Sequence, residues 1–164
     1  MHTPHHAART TRRTVLTWAG ALLGAIPVAA FPVAPLAIKV WKDPQCGCCK
    51  DWIAHMERDG FIVQALDEGN RAARSRLGLP ARYGSCHTAL IDGYVGEGHV
   101  PAAEVRRLLT QRPEAMGLAV PGMPVGSPGM DGPAYGGRRD AYQVLLVRKD
   151  ESAQVFNTYE GTKS

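Results

Sequence analysis

Residues 36–60 read LAIKVWKDPQCGCCKDWIAHMERDG, and this stretch decides the fold class. The run LAIKVWKD (36–43) is short, apolar and β-leaning, and it stops at an Asp-Pro turn, which is the pattern of a strand. Between 49 and 60, Trp52, Ile53 and Met56 recur at helical spacing and Gly60 supplies a stop signal, which predicts a three-turn helix. Cys46, Cys48 and Cys49 fill the junction. Backbone N–H groups and the positive end of the helix dipole favour thiolates there, below the ordinary cysteine pKa of about 8.5.

Working outward, FIVQAL (61–66) predicts a second strand and EGNRAARSRLGL (68–79) a second helix, with Ala72, Ala73 and Leu77 turned inward and Pro80 ending it. CHTALI (86–91), the Asp92-Gly93 turn and YVGEGHV (94–100) predict a hairpin, because Asp-Gly suits the tight turns that hairpins need. PAAEVRRLLTQR (101–112) opens with proline and carries Val105, Leu108 and Leu109 on one face, as a helix would. The order β-α-β-α-β-β-α predicts an α/β, thioredoxin-like domain over 36–112, a central mixed sheet flanked by helices. Residues 113–137 turn rich in Gly and Pro and hold Met116, Met123 and Met130, and the pattern predicts no helix or strand through them. AYQVLLVR (141–148) and AQVFNTY (153–159) predict a hairpin supplying edge strands. Residues 113–164 thus form a C-terminal extension, a Gly/Pro/Met-rich loop followed by a β-hairpin.

The net charge of +4 comes largely from the N-terminus, where residues 1–30 hold Arg9, Arg12 and Arg13 and no acid. Without them the balance is 16 basic to 15 acidic residues, which removes the case for nucleic-acid binding. The same segment has a basic start, an apolar stretch from Val15 to Ala30 and small residues at Val28-Ala29-Ala30, the form of an export signal. Arg12-Arg13 resembles a twin-arginine signal, which implies a periplasmic destination. Pro27, Pro32 and Pro35 interrupt the roughly 20-residue apolar helix that a membrane span needs, so no stable membrane association is expected after cleavage. His2, His5 and His6 precede this segment and are set aside as ligands.

Cys46 and Cys49 make a Cys-x-x-Cys pair that suits disulfide exchange or metal binding equally. The intervening Cys48 leaves a spare thiol beside any one disulfide among the three, an arrangement that risks misoxidation in a simple redox pair. Cys86 opens the third predicted strand and faces the same turn in a thioredoxin-like arrangement, with His87 beside it. Neighbours in a regular strand point to opposite faces, so Cys86 and His87 share a site only if the strand starts irregularly. Four sulfurs, or three with His87, satisfy a tetrahedral zinc site by count. Thioethers are poor zinc ligands but suit Cu(I), as thiolates do, which brings Met123 and Met130 in as candidates. Glu97 and His99 fall on one strand face by alternation, as an outer shell or, more simply, as a half-exposed surface.

CGCCKDW, SCHTALIDGYVGEGHVP and GLAVPGMPVGSPGM together resemble the CopG family of exported bacterial proteins associated with copper resistance. The resemblance covers nearly the whole chain after residue 30. It implies a thioredoxin-like domain whose C-terminal extension folds back to complete a copper centre, with one or several Cu(I) ions held by Cys46, Cys48, Cys49 and Cys86. His87, Met123 and Met130 are its further candidates. The expected partners are copper ions and other periplasmic copper-handling proteins, and the expected state is a monomer. A thiol-disulfide oxidoreductase and a structural zinc domain stand as alternatives, and turnover of the metal is left open.

Overall fold

In a computed structural model the described residues are 36–162, so the predicted export signal lies outside them. Strand β1 (Ala37–Lys42) leads through the cysteine turn into α1 (Gly47–Arg58) and then β2 (Ile62–Leu66). Next come α2 (Arg71–Arg76), β3 (His87–Ile91), β4 (Tyr94–Glu97) and α3 (Ala102–Gln111). The chain closes with β5 (Gly117–Ala119), β6 (Tyr142–Val147) and β7 (Ala153–Tyr159). The seven strands form one mixed sheet in the order β2-β1-β3-β4-β5-β6-β7. β1 pairs parallel with β2 and antiparallel with β3, while β4 pairs antiparallel with β3 and parallel with β5.

Period-two alternation sorts the strand side chains onto two faces. Ile38, Val40, Ala89, Ile91, Leu118, Val144 and Leu146 join Trp52 and Met56 of α1 and Val105, Leu108 and Leu109 of α3 in the larger core. On the opposite face Val95, Ala119 and Val147 pack with Leu79 and Tyr83, which follow α2. Full burial of a large apolar side chain such as Met56 is worth about 1.5–3 kcal/mol, and these two clusters fix the sheet between its helices.

Three sequence expectations are corrected. The second helix is half the length expected over 68–79, because Gly69 and Gly78 sit at φ +72° and +77° and end it on both sides. The Gly/Pro-rich segment does contain a strand, β5, whose three residues are all buried against β4 and β6. Three residues between breakers carry too little periodicity to be read, and only the flanking strands make their pairing favourable. The C-terminal hairpin contributes one edge strand, β7, since β6 pairs on both sides. Among the described residues no helix is long and apolar enough to cross a membrane.

Candidate metal centre

α1 starts two residues earlier than its apolar pattern, with Cys46 as N-cap, its sulfur accepting from the Cys49 backbone N–H at 3.3 Å. Cys48 and Cys49 therefore lie in the first turn, where unpaired N–H groups favour negative charge. Opposite them, Cys86 sits one residue before β3, in the irregular Gly84-Ser85 approach rather than in the strand. The sulfurs of Cys46, Cys48, Cys49 and Cys86 all lie within 4.8 Å of one another. Cys48 Sγ is 3.6 Å from Cys46 Sγ and 4.0 Å from Cys86 Sγ. Cys46 and Cys49 are joined as a disulfide, and Cys48 and Cys86 are free thiols.

A second group overlaps the first at Cys86, since its sulfur lies with His87 and His99 ring nitrogens inside the same 4.8 Å limit. The irregular strand start places Cys86 Sγ 3.4 Å from His87 Nδ1, so the two neighbours do share a site. His99 is the residue the sequence reading undervalued. Alternation fails because β4 ends at Glu97 and Gly98 turns the chain at φ +70°, which aims His99 Nε2 at Cys86 Sγ, 3.0 Å away. The signal was the glycine at position 98, which breaks the two-residue period. His99 Nδ1–H donates to the Pro128 carbonyl at 2.8 Å, which fixes the tautomer and leaves Nε2 as a lone-pair donor. Cys86 S–H thus donates to His99 Nε2, and removal of that proton points two donor atoms at one place.

Glu97 is fully buried instead of half-exposed, and so is His99. The Glu97 carboxylate accepts from Arg74 Nε at 2.9 Å, from the Ser85 backbone N–H at 2.6 Å and from Thr88 Oγ1 at 2.6 Å. Arg74 also donates to the Ser85 carbonyl at 2.9 Å, so both backbone polar groups of Ser85, its N–H and its C=O, are held from one ion pair. This clamp orients the loop that carries Cys86. Nothing in the sequence marks Arg74 for it.

The extension reaches the site through Gly129, at φ +84°, where an added Cβ would meet Cys48 O at 2.6 Å and Trp52 N at 2.7 Å. Only a glycine lets the loop lie on the first turn of α1. A Gly129→Ala variant is expected to lose about 1–3 kcal/mol through overpacking, measured by denaturant unfolding, and to loosen the Pro128 carbonyl that orients His99. Of the two candidate thioethers, Met130 is buried with its sulfur accepting from the Tyr135 hydroxyl at 3.2 Å. Met123 is 53% exposed.

Burial dominates the protonation of this region. It pushes the Cys86 thiol up to about 12, with Cys48 adding to the effect, and it drops His87 to about 3. His99 and His55 are also lowered, chiefly by burial, and neutral His55 Nε2 accepts from the Ala102 N–H at 3.1 Å. The unfolded chain therefore binds more protons than the folded one below an unfolded histidine pKa of about 6.5, and stability falls as pH drops through that value. Glu97, pushed up by burial, has the opposite sign, but it is one group against three. For the metal-free protein, the unfolding free energy is expected to fall steadily below about pH 6.5, by up to about 1.4 kcal/mol per pH unit for each histidine still neutral. The measurement is a pH series of urea titrations.

The Tyr83–Met130 segment, residues 83–130, matches a family model described as a protein of unknown function, DUF411. Two solved structures share 52% sequence identity with this chain. One, titled copper resistance protein CopG, form 1, covers 77% of this chain and 99% of its own length at a TM-score of 0.71. The chain belongs to the CopG family. Form 2 of the same protein covers 76% of this chain and 98% of its own length at a TM-score of 0.70. No curated protein matches. The CopG resemblance seen in the motifs thus extends over the mixed sheet, the cysteine turn and the extension loop together.

Proposed function

We propose that the chain is an exported periplasmic copper-binding protein for copper resistance, with Cu(I) as its cargo. The observation that carries the reading is the convergence of four cysteine sulfurs within 4.8 Å, with the lone pair of His99 Nε2 directed at one of them. Soft thiolates with imidazole at this spacing suit Cu(I), and closely packed thiolates can bridge more than one ion. His87 fits the same view, because its Nδ1 lies 3.4 Å from Cys86 Sγ and buried imidazole stays neutral, as a ligand must. In this reading Cys46, Cys48, Cys49, Cys86, His87 and His99 hold copper, Met123 and Met130 are supplementary thioethers, and the Arg74–Glu97 clamp orients Cys86. The copper resistance named in the titles of the two CopG structures supports it. Export rests on the twin-arginine pattern, and the thioredoxin-like label rests on the strand order β2-β1-β3-β4 with the cysteines at the start of α1.

The reduced, copper-loaded protein is expected to show sulfur-dominated X-ray absorption and to retain copper through desalting. Absorption with only nitrogen and oxygen neighbours would sink the reading. Thiolate ligands must lose protons to bind, so Cu(I) affinity should weaken between about pH 8 and pH 5 in chelator competition, and a flat profile would contradict a thiolate site. One observation favours a second reading, a thiol-disulfide oxidoreductase: Cys46–Cys49 is a disulfide placed at a helix start. An insulin-reduction assay with no retained copper would favour it.

A further inference from the structure

With Cys46 and Cys49 joined, the two remaining cysteines of the chain are Cys48 and Cys86, and their sulfurs stand 4.0 Å apart. A disulfide needs about 2.05 Å between sulfurs, so they must approach by about 2 Å. Cys48 stands in the first turn of α1 and Cys86 in the irregular approach to β3, outside the strand ladder. Neither is fully buried. The other two sulfurs near Cys48, those of Cys46 at 3.6 Å and of Cys49 within 4.8 Å, are already committed to each other.

We propose that Cys48 and Cys86 are a second redox pair, so that the reduced chain stores four electrons in two dithiols and its fully oxidised form is stapled between α1 and the approach to β3 with no thiolate left for metal. The oxidant is cupric ion. The two thiols release two protons and two electrons, one S–S bond forms, and two Cu(II) ions each gain one electron to become Cu(I). Cys46–Cys49 forms in the same way. The second disulfide then removes the last thiolates and releases copper, which makes the site a store that empties on full oxidation. The proposal rests on the copper reading for its oxidant and its consequence, but not for the pairing itself.

The pairing is tested without copper in a Cys46→Ser/Cys49→Ser variant of the full chain, reduced and then treated with diamide, which takes up the two thiol hydrogens. Serine also caps helices well, so α1 is retained. After trypsin, a cross-link between the peptides 43–50 and 83–106 is expected, with no free thiol left. Two thiols that stay free, or a disulfide only between chains, would overturn the pair. In the unsubstituted reduced chain, Cu(II) with a colorimetric Cu(I) chelator should yield one Cu(I) for each of the four cysteines. Cys86→Ser should yield half that number, and equal yields would overturn the proposal. A cross-link in a chain that retains no copper would keep the pair and remove the copper reading; retained copper without the cross-link would do the reverse.

Discussion

A Cys86→Ala variant is expected to bind Cu(I) more than about a hundredfold more weakly than the unsubstituted chain. Loss of a group that only orients a ligand costs 10–100-fold in metal affinity, and Cys86 is placed to do more than orient. Its sulfur belongs both to the four-cysteine group and to the group with His87 and His99, so it is the one atom common to the two. Alanine there leaves the Cys46, Cys48 and Cys49 arm on one side and two imidazoles on the other with no sulfur between them. The variant should fold, since Cys86 lies outside β3 and its backbone is held through the neighbouring Ser85. Competition against chelators of graded affinity, under reducing conditions, reads the loss. The same variant separates the two functional readings, because an oxidoreductase centred on Cys46 and Cys49 keeps its activity without Cys86. An affinity unchanged by the substitution would remove Cys86 from the site.

The second large effect is on stability. Glu97→Ala should lower it by about 3–5 kcal/mol, the cost of removing one partner from a buried ion pair. Arg74, with a side chain 13% exposed, would keep only the Ser85 carbonyl, while the Ser85 N–H and Thr88 hydroxyl would lose their acceptor inside the protein. For a chain of this size the fall in Tm is roughly 10 °C. Glu97→Gln keeps an acceptor for the Ser85 N–H and should cost less. Because the clamp also aims Cys86, both variants should weaken Cu(I) binding at a temperature where they remain folded. A stable Glu97→Ala protein with full affinity would show that the Cys86 loop holds itself.

The parts of the site that were legible in the sequence were those carried by short-range pattern. A β-leaning run, a proline turn and helical spacing after position 49 placed three cysteines at a helix start, and the Asp-Gly turn placed Cys86 on the neighbouring hairpin. His99 was visible as a histidine but misread as a half-exposed strand residue, because alternation was extended through Gly98. Met123 and Met130 illustrate a different limit: loop composition nominates thioethers without saying which way they face, and the fold gives one to solvent and the other to Tyr135.

By itself, the sequence determined the strand-turn-helix frame, the clustering of sulfur at its junction and the family to which the motifs belong. Those depend on local periodicity, helix-end chemistry and cysteine spacing, all of which act over a few residues. Only the tertiary structure decided that His99 turns onto Cys86, that Arg74 and Glu97 grip the Ser85 peptide, and that the extension lies on α1 at Gly129. These contacts join residues 11 to 81 positions apart, from Arg74–Ser85 to Cys48–Gly129. Burial and the satisfaction of polar groups in a shared interior select such contacts, and no local pattern encodes that selection.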